Sequence, residues 1–176
     1  NEGGVLGTWQ LSKNVTGHWL LQECRRAWQA EGREFTYEEL SRLADKARPL
    51  GTAIEPDHPA FLPPGDMPER IRCASRETGQ AAPETPGEVV RVALQSIALK
   101  YRRVLAELET VVGRRLEPVH LIGGGSRNRL LNQWTADCTG RMVIAGPTEA
   151  TATGNLMMQA IGLGRLGSLE DARAVV

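Results

Sequence analysis

A run of three glycines between an apolar stretch and a helical pattern constrains this chain more than any other feature. Residues 118–133 read Pro-Val-His-Leu-Ile-Gly-Gly-Gly-Ser-Arg-Asn-Arg-Leu-Leu-Asn-Gln. Residues 119–122 are short, apolar and β-branched at both ends, the pattern of a strand buried in a sheet. Gly123, Gly124 and Gly125 follow at once, and then Leu130, Leu131 and Trp134 fall on one side of a helix. Strand, glycine turn and helix in that order bring bare backbone N–H groups up to a phosphate or nucleotide. Glycine suits such a turn because it reaches positive φ without a Cβ clash and lets a ligand approach the main chain. Ser126 or Asn128 can cap the new helix, and either can bond a ligand.

The loop matches neither common nucleotide fingerprint. Asn128 stands where G-x-G-x-x-G needs its third glycine, and no G-K-[ST] occurs anywhere. The triplet by itself therefore leaves two readings open: a ligand loop, or a plain tight turn.

The rest of the chain supplies the context. Residues 142–145 read as a second buried strand, and Gly146, Pro147, Thr148 and Glu149 turn into a helix over residues 150–162. That helix is rich in small residues: Ala150, Ala152, Gly154 and Ala160. Upstream, the longest helix is expected over residues 87–112. There Val90, Leu94, Ile97, Tyr101, Leu105, Leu108 and Val112 recur at three- and four-residue steps, and Gly113 stops it. Its charged face, with Arg91, Lys100, Arg102, Arg103 and Glu109, reads as solvated. The second half is then an α/β arrangement in which helices cover a parallel sheet. Ligands of such sheets sit at the carboxyl ends of the strands. Residues 123–125 and 146–149 both lie there and are expected side by side.

The first half reads less firmly. Val5, Trp9 and Leu11 share a parity, which suggests a strand over residues 5–11 with no hairpin partner upstream. A helix is expected over residues 14–29 with Asn14 as its N-cap and Gln22 on its second turn. Thr36-Tyr37-Glu38-Glu39 is a capping box for a helix reaching about Ala47. Ala53 and Ile54 suggest an edge strand. Pro56, Pro59, Pro63 and Pro64 mark a surface loop in which Asp57 and His58 read as solvated or turn-forming. Short helices are expected over residues 68–78 and from Ser168 onward.

Composition narrows the function. With 176 residues the chain fits one domain of ordinary size. Lys plus Arg balances Asp plus Glu at 21 each, so there is no global pull toward nucleic acid or an anionic membrane. No apolar run approaches the ~20 residues that span a bilayer, and nothing resembles a signal peptide. Cys24, Cys73 and Cys138 are scattered and odd in number, which fits reduced thiols in a cytoplasmic protein better than disulfides or a metal site.

Residues 123–133, followed by Ala136-Asp137, resemble the signature of the FGGY family of carbohydrate kinases. Residues 145–155, Ala-Gly-Pro-Thr-Glu-Ala-Thr-Ala-Thr-Gly-Asn, resemble the strand, turn and helix that come next in that family. Further likeness, to one ketose-phosphorylating branch, is carried by residues 1–5, by residues 13–22 (Lys-Asn-Val-Thr-Gly-His-Trp-Leu-Leu-Gln) and by Arg76-Glu77-Thr78. The resemblance covers nearly the whole chain but only the carboxyl-terminal part of such a kinase, so residues 1–176 are expected to be one domain, incomplete at its amino-terminal end.

The resemblance implies an actin-like, ribonuclease-H-like ATPase fold in two halves, with ATP, accompanied by Mg2+, and a ketose sugar between them. It also implies that Asn14, Gln22 and Gly124 contact ATP, with Gly123, Gly125 and Asn128 sharing the loop. No catalytic residue is expected in this chain, because the family's general-base aspartate and most sugar contacts lie upstream. The chain alone is therefore expected to be inactive. The alternatives are another kinase of that family, of xylulokinase or fuculokinase type, and a non-catalytic actin-like module that binds nucleotide.

Overall fold

The computed structural model describes residues 2–176. The chain opens with a hairpin. Strand β1 (Glu2–Gly3) pairs antiparallel with β2 (Trp9–Gln10), Glu2 opposite Gln10. Between them Val5–Gly7 forms a 3-10 turn closed by Gly4 N–H to the Thr8 carbonyl at 2.7 Å. The strand expected over residues 5–11 is broken by this turn, in which Leu6 takes φ 53° and Gly7 φ 76°. It also has the upstream partner the sequence did not suggest. Its apolar residues are not buried: Trp9 is 82% exposed.

Helix α1 runs over Trp19–Ala30, not from Asn14. Asn14 is therefore no helix cap. The preceding segment is held open instead, because the Thr16 N–H bonds the Asp57 carboxylate at 2.6 Å rather than a helical partner. Leu20, Leu21, Cys24 and Trp28, on one face of the helix, are buried. Helix α2 (Tyr37–Lys46) starts where its capping box directs: the Glu39 N–H bonds Thr36 Oγ1, and Glu39 reaches back to the Thr36 N–H.

No strand forms at Ala53 and Ile54. Side chains take the backbone groups a neighbouring strand would have used. The Ala53 N–H donates to Gln80 Oε1 and its carbonyl accepts from Gln80 Nε2, while the Ile54 N–H donates to Ser96 Oγ. After a 3-10 turn at Pro59–Phe61 comes α3 (Met67–Glu77), capped by Asp66 and with Pro68 in its first turn.

Helix α4 (Pro86–Val112) begins at a second capping box, Thr85 with Glu88, and ends at Gly113 in the left-handed region. Val90, Leu94 and Ile97 are buried in the core, where α4 packs chiefly against α2 and α5, whereas Val112 emerges at the far end. Three of its charges depart from the solvated face, and one is Glu109, which pairs with Arg141 at 2.7 Å and accepts the Leu116 N–H. Arg91 donates to the Ala44 and Ala47 carbonyls at the end of α2 and lies over the Trp134 ring. Lys100 pairs with Glu55 and Asp57.

Strands β3 (Val119–Leu121) and β4 (Val143–Ala145) are parallel, with His120 opposite Ile144, and α5 (Arg129–Thr139) connects them. Helix α6 (Ala150–Gly162) follows β4, and α7 (Leu169–Val175), capped by Ser168, closes the chain. The expected helix-covered parallel sheet is present here as this one pair. The strands are also less buried than expected: neither has a buried residue, and Ile144 is 36% exposed. A two-stranded pair offers little width to bury, and α6 buries none of its residues. The described chain is mostly helical with two small sheets. No described helix is long and apolar enough to cross a membrane.

Candidate functional site

The loop after β3 is built on one obligatory glycine. Gly123 takes φ 79°, where a side chain would be strained. Its N–H donates to the Pro147 carbonyl at 3.0 Å, and the Gly146 N–H donates to the Leu121 carbonyl at 2.7 Å. The two strand-end loops are thus stitched side by side, as the α/β reading requires.

A 3-10 turn, Gly124–Arg127, then leads into α5. The Ser126 hydroxyl is consumed inside it, donating to the Gly123 carbonyl at 2.7 Å. Asn128 is the helix cap, with Oδ1 accepting from the Leu131 N–H at 3.0 Å. Asn132 Nδ2 ties α5 back to the Ser126 carbonyl, while its Oδ1 is buried without a partner. The N–H groups of Gly124 and Gly125 bond no acceptor among the described residues.

The three glycines have three different surroundings. Gly123 needs its φ. A Cβ on Gly125 would sit 3.2 Å from the His18 ring. Gly124 has neither constraint: its φ is not in the left-handed region, and a Cβ there would meet nothing within 4 Å. Nothing in the chain itself requires glycine at position 124.

Gly124 and Gly125 face an open cleft of about 1180 Å³. Tyr37, Glu38, Ser41 and Asp45 of α2 line one part of it, and Asn128 and Leu130 another. Its other charged groups, Arg42, Arg127 and Arg129, give it a slight cationic excess over Glu38 and Asp45. A space of this size admits a nucleotide-sized ligand.

Of the six expected site residues, Gly123, Gly124, Gly125 and Asn128 are together. Asn14 is exposed in the irregular segment before α1, and Gln22 is exposed on its first turns. Neither lines the cleft. The Gln22 N–H donates to the His18 carbonyl, so Gln22 stands one turn beyond His18 on the same helix face. His18 in turn touches the loop: Nε2 lies 3.4 Å from Asn128 Nδ2. Burial pushes the His18 imidazole below its ordinary pKa.

Sequence reasoning missed His18, since a lone histidine ahead of a helix carries no pattern. It also set Asp57 aside. Burial by itself would raise the Asp57 carboxyl, but the Thr16 N–H and Lys100 outweigh it and hold it below the usual carboxylate range.

Comparison with known proteins agrees with the loop. Residues 1–163 match the C-terminal domain of the FGGY family of carbohydrate kinases. Over its whole length the chain is 46% identical to a rhamnulokinase of Bacteroides thetaiotaomicron, covering 36% of that protein. It is 41% identical to one from Enterococcus faecalis and 39% identical to one from Bacillus subtilis, covering 35% and 36% of them. The chain therefore spans little more than a third of the length of these relatives. The motif at residues 123–133, the geometry of its loop and the extent of these matches agree, and the chain belongs to the FGGY family of carbohydrate kinases as a C-terminal domain.

Proposed function

We propose that this chain is the ATP-binding domain of a sugar kinase that moves the γ-phosphoryl group of ATP to a ketose hydroxyl. The acceptor we assign is L-rhamnulose, giving L-rhamnulose 1-phosphate in rhamnose catabolism, because the relatives carry the name rhamnulokinase. The observation that supports a nucleotide here is Gly124, a glycine with no conformational or packing reason among the described residues, where its own N–H and that of Gly125 meet no acceptor among them. Such donors suit a phosphate or the polar edge of a base.

In this reading Gly124 lies against ATP, Gly123 and Gly125 shape the loop, and Asn128 fixes its exit into α5. Asn14 and Gln22, exposed outside the cleft lining, are assigned to the nucleotide from the neighbouring segment on the family resemblance alone. An actin-like pair of domains places the sugar on the opposite wall. The general-base aspartate belongs to the part of the kinase outside this chain, and no catalytic residue is assigned within it. Among the described residues no group of three or more His, Cys, Asp or Glu could hold a metal. Mg2+ is accordingly assigned to the nucleotide phosphates and the opposite domain. Phosphoryl transfer depends on positioning and charge stabilisation, so one wall of a cleft transfers little by itself.

The test is ADP release by the full-length kinase with L-rhamnulose, D-xylulose and L-fuculose, with nucleotide binding measured in parallel. Saturable turnover of L-rhamnulose supports the reading. Preference for another ketose would reassign the protein to a xylulokinase or fuculokinase type. Nucleotide binding without turnover of any sugar would favour a non-catalytic module.

A further inference from the structure

We propose that His18 is a positioning residue for the nucleotide loop. Its neutral imidazole accepts a hydrogen bond from Asn128 and braces Gly125, which fixes the loop in one conformation. The inference rests on the reading that this loop binds nucleotide.

The protonation state follows from the cap of α5. Asn128 Oδ1 is committed to the Leu131 N–H at 3.0 Å. That orientation turns Nδ2, a donor, toward His18 Nε2 at 3.4 Å. Two donors cannot bond, so Nε2 must be the unprotonated nitrogen and Nδ1 must carry the hydrogen. The adjoining Nδ1–Cε1 edge of the ring faces Gly125, where a Cβ would come within 3.2 Å of Cε1 and Nδ1. One imidazole thus bonds Asn128 and fills the space a side chain on Gly125 would need, three positions earlier.

A brace needs a rigid mount, and His18 has one. Two residues earlier, the Thr16 N–H is held by Asp57 at 2.6 Å. One residue later, the Trp19 indole N–H donates to the Phe61 carbonyl at 2.9 Å. Both anchors lie on the proline-rich segment, so the backbone on either side of His18 is fixed to the same body. No comparable contact ties Gly124 itself, which leaves its open side to a ligand.

The charged groups around His18 do not reverse this. Glu38, Arg42 and Asp45 of α2 share the cleft, as do Arg127 and Arg129 beside Asn128. The Tyr101 hydroxyl of α4 lies near Gly17. Burial is what moves the His18 titration, and it moves it down. The imidazole is therefore neutral at pH 7, and the brace is intact. It fails as pH falls through the folded value, which lies below the ordinary histidine value of about 6.5. A protonated Nε2 would point a donor at Asn128 Nδ2. Asn128 could then keep His18 or the Leu131 N–H, but not both.

The experiment titrates Mg·ADP into the full-length kinase by calorimetry at pH 7.5 and pH 5.5, comparing wild type, His18→Gln and His18→Ala. Glutamine offers an oxygen acceptor that does not titrate. At pH 7.5, His18→Ala is expected to weaken binding by about three- to tenfold, the scale of one net hydrogen bond, and His18→Gln to stay near wild type. At pH 5.5 wild type should lose affinity relative to His18→Gln. Titration of ADP itself cancels in that ratio. An unchanged ratio at the two pH values would overturn the proposal, as would wild-type affinity in His18→Ala. Should the alanine variant fail to fold, the wild-type and glutamine ratio decides alone. Absence of ADP binding by wild type at pH 7.5 would sink the nucleotide-site reading along with this one. ADP binding with a flat ratio would sink the role of His18 only.

Discussion

Asp57 Oδ1 accepts the backbone N–H of Thr16 at 2.6 Å, across 41 positions of chain. Its other oxygen, Oδ2, lies 2.9 Å from Lys100 Nζ. One carboxylate therefore joins the segment before α1, the proline-rich loop and α4. Lys100 is only 12% exposed in its side chain and also meets Glu55. Asp57→Ala leaves a backbone N–H and a largely covered ammonium each short of a partner. It is expected to destabilise the protein by about 1–3 kcal/mol. Asp57→Asn keeps an oxygen for Thr16 and should cost less. Urea denaturation of the full-length kinase measures both, and equal losses would mean the Thr16 bond contributes nothing.

The same residue gives a pH prediction. The Asp57 carboxyl is held below its usual range in the folded state. Its contribution is therefore complete above the ordinary aspartate value of about 3.9 and is lost as pH falls through that value toward the lower folded one. Asp57→Asn should flatten this acid limb in stability measured between pH 5 and pH 3. An unaltered acid limb would show that other carboxylates carry it.

Gly87 sets how closely α4 can cross α2. A Cβ on it would lie 2.7 Å from the Leu43 carbonyl oxygen and 3.4 Å from Ala47 Cβ. Alanine normally gains about 1 kcal/mol over glycine inside a helix. Here the obstacle is backbone, which cannot swing aside, and overpacking typically costs about 1–3 kcal/mol. Gly87→Ala should thus lower the melting temperature despite its better helix propensity. A rise would mean α2 and α4 separate at little cost.

What could be read from the sequence were features with local causes. The capping box at Thr36, the stop at Gly113 and the cap at Asn128 each need only residues a turn away. The glycine loop was legible for the same reason. The failures share a different cause. Asn14 looked like a cap until Asp57 took the Thr16 N–H. Ala53 and Ile54 looked like a strand, but Gln80 and Ser96 satisfy their backbone. Arg91 looked solvated but reaches the carbonyls at the end of α2. Each depends on a partner tens of residues away, which periodicity does not record. His18 was missed because its importance lies wholly in contacts with residues 125 and 128.

The thiols differ in reactivity by position. Cys24, Cys73 and Cys138 are all free, in line with the sequence reading. Cys24 is buried, and burial raises its thiol pKa far above the ordinary value; Cys138 is half-buried and is raised for the same reason. Cys73 is exposed. Brief alkylation of the native protein should modify Cys73 first and leave Cys24 untouched until denaturant is added. Early labelling of Cys24, read by peptide mass spectrometry, would show that α1 opens readily.

The sharpest contrast lies between two adjacent glycines. Gly123→Ala forces a side chain into φ 79°, so it should cost about 1 kcal/mol or more in stability, as alanine at positive φ does. Gly124→Ala should be nearly neutral in stability or slightly favourable, because its φ is permitted and its Cβ meets nothing within 4 Å. Nucleotide affinity should reverse the order of the effects. In the full-length kinase, Gly124→Val puts a branched side chain into the open space beside two free N–H groups. It should weaken ADP binding more than it alters the melting temperature. Thermal melts and calorimetric titration on the same preparations separate the two quantities. If Gly124→Val binds ADP as wild type does, the open space beside this glycine is not where the nucleotide lies. The loop would then be the plain turn that the triplet alone left open.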